Sequence, residues 1–212
     1  MADRRETMTR RNDSHQVLFA CMLALFMAPL ACGEEPGEDV LVNAGPTYRA
    51  LEAAAIELDV PPSLLMAVAS VQSGFEMVQG QAVSEYGSDV AAWGVMGLAD
   101  GRNLEQAAEV VGKHQDDVRF DLGSNVRAAA ALLSVTAANT LGWDFAEWAS
   151  LGDWRDVLAS YSGIEDPEMA LGWVDEVMER LRNGDGRVLS TGEVVEFHGA
   201  GDSVDEVTVR EN

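Results

Sequence analysis

The residues best suited to chemistry lie in one stretch, residues 61–98. Apolar side chains recur there at i, i+4, i+7 and i+11, which predicts a helix with one buried face. These side chains are Leu64, Val68, Val71 and Phe75. Gln72 falls beside that face, and Gly74 ends the regular pattern before a polar loop. A polar side chain in this place indicates a cleft. The Gln72 carboxamide can donate and accept hydrogen bonds there, but it has no titratable proton.

Two motifs in this stretch resemble the soluble lytic transglycosylase domain of the lysozyme superfamily. The family pattern is a helix ending in Glu-Ser-x-Phe, then a loop, then Gly-Leu-Met-Gln. The matching residues here are Gln72-Ser73-Gly74-Phe75 and Gly94-Val95-Met96-Gly97. The resemblance continues at residues 125–133 and at Tyr161-Ser162-Gly163, and it covers roughly residues 47 to 184. The spacing is similar to transglycosylase-like domains at the N-terminus of some bacterial N-acetylmuramoyl-L-alanine amidases. The motifs are specific as an ensemble, although each one alone is weak.

The resemblance implies a reaction on peptidoglycan glycan strands. In the family one glutamic acid acts first as acid and then as base, while the sugar's own 6-hydroxyl attacks, so that no second carboxylate is needed. That glutamic acid is Gln72 here, and the glutamine after the methionine is Gly97. Loss of a general acid alone costs about 10²–10⁴-fold in rate. The sequence therefore predicts a domain that engages glycan strands and is degenerate in catalysis. A simpler alternative makes Gln72 an ordinary hydrogen-bonded residue at a helix end.

The resemblance also implies further site residues. Tyr161 matches a tyrosine that lies beside the catalytic acid in the family, and the alternative is a core aromatic whose hydroxyl is bonded. Val95 and Met96 match residues that line the sugar cleft, and their alternative is plain core. Trp93, between a loop and Gly94, is a candidate for stacking on a sugar face. The predicted substrate-binding residues are Ser73, Phe75, Trp93, Gly94, Val95, Met96 and Tyr161.

Two other functional hypotheses remain open at this level. An active transglycosylase would need a displaced acid, for which Glu76, Glu85 and Asp89 are the candidates. A helical interaction module would keep the fold and bind a protein partner of the cell envelope. Sequence alone leaves open whether the protein is an enzyme.

The net charge of the chain limits the classes of ligand that it is expected to bind. The chain carries 36 acidic and 14 basic residues, a net charge of −22. Such a surface repels polyanions, and no basic stripe follows Arg11, so nucleic-acid binding is disfavoured. No metal or other cofactor is predicted, because His114 and His198 are far apart in sequence and no Cys or His cluster exists.

The N-terminus predicts export. Four arginines precede an apolar run, Val17–Ala31, that is shorter than the ~20 residues needed to span a bilayer and is typical of a signal peptide. Cys32 follows a small residue as in a bacterial lipobox, which predicts a lipidated first residue of the mature chain. Pro29 departs from that motif, and the alternative is an ordinary cleaved signal. We therefore expect a membrane-anchored lipoprotein of the cell envelope, on the periplasmic side or in the outer membrane of a Gram-negative cell. Translation from Met8 rather than Met1 would give a cleaner signal.

The fold expected is all-α, a lysozyme-like domain of about six to seven helices. Residues 128–131, four alanines, indicate a central buried helix, and Asn103 with Gln106 indicates a capping box. Residues 188–197 have the pattern of a β-hairpin, and the acidic end beyond them is expected to be disordered. The predicted divisions are a signal peptide (1–32), an acidic linker (33–46), the transglycosylase-like domain (47–184) and a C-terminal tail (185–212).

Overall fold

Helices make up most of the structure, a computed structural model that describes residues 45–82 and 90–205. Seven of its helices have six residues or more, and an eighth is a single turn. They are α1 Pro46–Glu57, α2 Pro62–Ser73, α3 Leu104–Val110, α4 Gln115–Phe120, α5 Leu122–Leu141, the short α6 Phe145–Trp148, α7 Trp154–Ser162 and α8 Pro167–Asn183. The mostly helical fold predicted from the sequence is confirmed. The signal peptide, linker residues 33–44, Cys32, Glu85 and Asp89 lie outside the described residues, and Pro46, predicted as the end of the linker, begins α1.

A small sheet occupies part of the region expected to be a loop. Its strands are β1 Val78–Ala82, β2 Ala91–Gly94 and β3 Leu98–Ala99, paired antiparallel in that order. The register between β1 and β2 shifts between Gln79 and Gln81, beside Gly80. The expectation of an irregular connection over this whole stretch was therefore wrong, because two short polar or alanine-rich segments pair with each other.

Helix α5 is the central helix, as its alanines predict. Ala128, Ala129 and Ala130 have no solvent-exposed surface, and α5 contacts α1, α3, α4 and α7. Small side chains allow these helices to approach closely. Among the described residues, no helix combines the length and apolar character required to cross a membrane.

The N-terminal cap predicted from the sequence is present in α8 and absent in α3. The Asp166 carboxylate accepts hydrogen bonds from the backbone N–H groups of Glu168 and Met169, and Pro167 occupies the first turn, as predicted. The capping box predicted for Asn103 was wrong, because its side chain makes no cap hydrogen bond. Asn103 is buried instead, where it accepts a hydrogen bond from Ala99 N (2.9 Å) and donates one to the Tyr161 carbonyl (3.3 Å).

The C-terminal hairpin consists of β4 Gly184–Val188 and β5 Val194–His198, paired antiparallel. Val195 and Phe197 are buried in the main core, and the Phe197 ring lies edge-on to Phe75 at 6.5 Å between centroids. The Glu193 carboxylate accepts hydrogen bonds from the first N–H groups of α1, at Thr47 (2.9 Å) and Tyr48 (3.2 Å). The hairpin is thus packed into the helical domain and supplies the N-terminal cap of its first helix.

Candidate functional site

Gln72 lines an open groove of about 490 Å³, called the Gln72 groove below. Its walls are the last turn of α2, strands β1 and β2, and a charged side formed by α8 and β4. Helix α2 ends because Gly74 adopts a left-handed conformation (φ 59°), which turns the chain away directly after Gln72 and Ser73. Gln72 itself is half-buried and packs against the backbone of Gly97.

The turn Gly94–Gly97 is fixed to two helices. The Ser73 hydroxyl at the end of α2 donates to the Val95 carbonyl (2.5 Å). Asn125 on α5 is fully buried, and its Oδ1 accepts from Met96 N at 2.8 Å while its Nδ2 donates to the Trp93 carbonyl at 3.1 Å. Any side chain at position 94 would collide with Asn125, so that position requires glycine. The turn is therefore a rigid neighbour of Gln72.

Asn125 is a structural residue that sequence reasoning missed. The sequence places it only at the start of a matching segment, although its amide bonds Met96 in the turn, Trp93 beside the turn and Val118 of α4. The available signal was a polar residue at a helical position whose neighbours are apolar, where burial requires hydrogen-bond partners.

Most of the residues implied by the family resemblance lie in the core. Phe75, Val95 and Met96 are at most 1% exposed, and Tyr161 is 2% exposed. They are therefore covered by other side chains, and the core alternative for Val95, Met96 and Tyr161 is the one that the structure favours. Contact between these residues and a sugar stays a prediction.

Tyr161 stacks on Trp173, with ring centroids 6.3 Å apart and an angle of 30° between the rings. Burial raises the pKa of the phenol far above its ordinary value, so the group is neutral at all physiological pH. Its hydroxyl has no hydrogen-bond partner within the described ranges, contrary to the bonded hydroxyl expected for a core tyrosine.

Trp93 is held by protein groups. Its Nε1 donates to Asp100 (3.1 Å), Arg119 lies over its ring at 5.4 Å, and Phe120 lies edge-on at 5.4 Å. Trp93 is not among the residues that line the Gln72 groove. Stacking of Trp93 on a sugar in the groove stays a prediction that this placement does not favour.

The acids proposed to replace the missing glutamic acid are only partly described. Glu76 is engaged away from the groove, where its carboxylate accepts from the backbone N–H (2.6 Å) and hydroxyl (2.7 Å) of Ser190. The groove instead contains Glu176, whose carboxylate lies 3.9 Å from Arg180 one turn further along α8. The sequence signal for this charged wall was the i, i+4 spacing of Glu176 and Arg180.

Comparison with protein-family profiles identifies the family to which this chain belongs. The profile of the family described as Transglycosylase SLT domain matches residues 49–174, more than half of the chain. The chain belongs to the transglycosylase SLT domain family. This membership implies a peptidoglycan-related, lytic transglycosylase-like function in the cell envelope. A search of curated proteins returned no match.

The SLT match covers Gln72 but stops before the charged wall of its groove. Glu176 and Arg180, in the second half of α8, and Arg187, on β4, all follow residue 174. Within residues 45–82 and 90–205, no three His, Cys, Asp or Glu side chains are grouped to hold a metal ion.

Proposed function

We propose that this SLT domain binds the glycan strands of peptidoglycan in the Gln72 groove and cleaves them slowly or not at all. The observation that carries the proposal is the half-buried carboxamide of Gln72 on the wall of an open groove, and the motif resemblance supports its assignment to the position of the family's glutamic acid. A carboxamide can hold a sugar hydroxyl or N-acetyl group by hydrogen bonds. It cannot deliver a proton to the leaving oxygen of a glycosidic bond, which normally comes from a carboxylic acid.

An active enzyme with a displaced acid is the second candidate. Glu76 is a poor choice because both of its carboxylate oxygens accept hydrogen bonds from Ser190. Glu176 faces the groove, but its carboxylate is paired with Arg180 at 3.9 Å and is therefore already engaged by a protein group. Both observations support binding over efficient turnover.

The export signal supports the same setting. A lipidated Cys32 would tether the domain to a membrane, and the acidic linker of residues 33–46 would let it reach the adjacent cell wall. The similarity of the motifs to the N-terminal domains of some amidases supports a role beside other wall-processing proteins. A partner protein of the envelope is the remaining alternative ligand.

Purified protein incubated with peptidoglycan sacculi tests the proposal. We expect it to sediment with the sacculi and to release little or no anhydromuropeptide, measured by chromatography of the supernatant. Robust release would establish the displaced-acid enzyme, and replacement of Glu76, Glu85, Asp89 and Glu176, each by its amide, would then identify the donor. Failure to sediment would exclude glycan binding and favour the interaction module.

A further inference from the structure

Arg187 reaches the Gln72 groove from the C-terminal hairpin, outside the segment matched by the SLT profile. Its guanidinium rests on the backbone of Gly74, so that a Cβ at that position would collide with it. Gly74 directly follows Gln72 and Ser73, and the Arg187 guanidinium is therefore close to the position of the family's catalytic acid. The hairpin brings a positive charge to the functional part of the groove.

This positive charge is uncompensated. The Arg187 guanidinium makes no hydrogen bond or ion pair with any residue that the structure describes, in a chain where acids outnumber bases 36 to 14. Arg180, the other groove arginine, lies 3.9 Å from the Glu176 carboxylate and 3.7 Å from that of Asp185. Asp185 also accepts a hydrogen bond from the Ser70 hydroxyl. Arg180 is therefore paired with two acids, whereas the Arg187 guanidinium has no acidic partner among the described residues.

We propose that Arg187 is a specificity residue that binds a carboxylate of the glycan strand. The guanidinium presents its donors in a planar fork that matches the two oxygens of a carboxylate. Peptidoglycan carries carboxylates in two places, on the stem peptides and, where a stem has been removed, on the lactyl group of muramic acid. A neutral glycan such as a chitooligosaccharide has none. This inference rests on the proposed glycan binding and adds that the groove selects charged strands.

If Arg187 had a purely structural role, its substitution would affect stability and ligand binding in a different way. Its guanidinium lies near the C-terminus of α2, where a positive charge interacts favourably with the helix dipole. In that case substitution would lower stability and weaken all ligands alike. Carboxylate recognition predicts instead a loss that depends on the charge of the ligand.

The experiment measures affinity for three soluble glycans by isothermal titration calorimetry. The glycans are strands with stem peptides, strands whose stems have been removed to expose lactyl carboxylates, and chitooligosaccharides of equal length. The proteins are the wild type, Arg187→Gln, Arg187→Lys and the control Arg49→Gln, which removes an exposed arginine on α1. Thermal unfolding of each variant reports any loss of fold.

We expect Arg187→Gln to weaken binding of carboxylate-bearing strands about tenfold, the effect of losing a charge-assisted hydrogen bond at a partly exposed site. Arg187→Lys should recover part of this loss, and Arg49→Gln should bind as the wild type does. A loss confined to strands with stems identifies the peptide carboxylates, a loss confined to stem-free strands identifies the lactyl carboxylate, and a loss for both shows that Arg187 binds either one. Equal weakening of chitooligosaccharides, or unchanged binding of Arg187→Gln to charged strands, would overturn the inference while glycan binding stands. Absence of wild-type binding to all three glycans would overturn the proposed function and the inference with it.

Discussion

The side chain of Gln72 lies against the backbone of Gly97. A Cβ built on Gly97 would be 2.8 Å from the Gln72 Cβ and 3.2 Å from its Oε1, and Gly97 has a positive φ of 53°. The two positions at which the sequence is predicted to depart from the family's motifs are therefore in direct contact. A side chain at position 97 would require Gln72 to move, so the two departures are physically coupled.

Replacement of Gly97 by Ala should lower the free energy of unfolding through both strain and collision. The positive φ alone costs roughly 1–2 kcal/mol for an L-residue, and the close contact with Gln72 should add about 1 kcal/mol or more. Gly101 provides a matched control, because its φ is 69° and nothing lies within 4 Å of its Cβ position. Urea denaturation should rank Gly97→Ala below Gly101→Ala. Equal losses would show that Gln72 moves aside freely.

Replacement of Asn125 by Ala should be among the most destabilising changes near the groove. It would leave the buried N–H of Met96 and the carbonyls of Trp93 and Val118 without their present partner. An unsatisfied buried polar group costs about 1–3 kcal/mol, so we expect a loss of at least about 2 kcal/mol. Asn139→Ala, an exposed position on the same helix, is the control and should change stability little. A small loss at Asn125 would mean that the turn re-forms its bonds elsewhere.

Asp121 should contribute a pH-dependent cap to α5. Its carboxylate accepts hydrogen bonds from the hydroxyl (2.6 Å) and backbone N–H (2.8 Å) of Ser124. These bonds, with Lys113 nearby, hold the pKa of Asp121 below its ordinary value. Because the folded-state pKa is the lower one, the stabilisation is present above the unfolded-state pKa and is lost as pH falls through the folded-state pKa.

Asp121→Ala should therefore cost about 1 kcal/mol at pH 7, as the loss of an N-cap does. The difference from wild type should shrink as pH falls from about 4, the ordinary pKa of an aspartic acid in the unfolded chain, towards the lower folded-state pKa. Asp121→Asn keeps a capping oxygen without titrating and should show no such pH dependence. Thermal unfolding between pH 3 and pH 7 makes the comparison, and a pH-independent loss for Asp121→Ala would contradict it.

The sequence predicted those features of the site that depend on local pattern. The apolar period of α2 and the glycine after it placed Gln72 at a helix end, and the structure has Gly74 there in the left-handed conformation. The N-cap of α8 at Asp166 was also predicted from the sequence, because an N-cap residue and the first helical turn are adjacent in the chain.

The remaining features depend on contacts between distant residues. Asn103 had the spacing of a capping box but bonds Ala99 and Tyr161 instead, a choice set by its burial. The strands β1 and β2 contain few β-branched residues and no clear alternation of apolar and polar side chains. They are therefore recognisable as strands only from their pairing with each other. The charged groove wall was missed because Arg187 reaches Gly74 only after the hairpin docks on α2.

Replacement of Cys32 by Ala tests the proposed lipid anchor, which lies outside the described residues. A lipidated protein should be extracted from membranes only with detergent, because its acyl chains contribute about 0.8 kcal/mol for each buried CH₂ group. The variant should then appear in the soluble exported fraction. Cys21→Ala, inside the apolar signal run, is the control and should leave the distribution unchanged. A wild-type protein that is already soluble would contradict lipidation.

Replacement of Gln72 by Glu should restore a proton donor to the groove. If glycan strands bind as proposed, this variant should release anhydromuropeptides from sacculi at least about 10²-fold faster than the wild type. Gln72→Ala is the control, and it should bind more weakly and release no more product than the wild type. High turnover by the wild type, or no gain in Gln72→Glu despite sacculus binding, would contradict the assignment of Gln72 to the acid position.

The pH profile of Gln72→Glu should report the charges of the groove wall. Partial burial raises the pKa of the introduced carboxyl group, whereas the positive charges of Arg180 and Arg187 in the same groove lower it. A second substitution, Arg187→Gln, should therefore raise the pKa of that group and extend its activity to higher pH. The pH at which turnover falls to half its maximum measures the shift directly, because only the protonated acid can serve the leaving oxygen. An unchanged profile would mean that Arg187 lies too far from position 72 to influence the chemistry there.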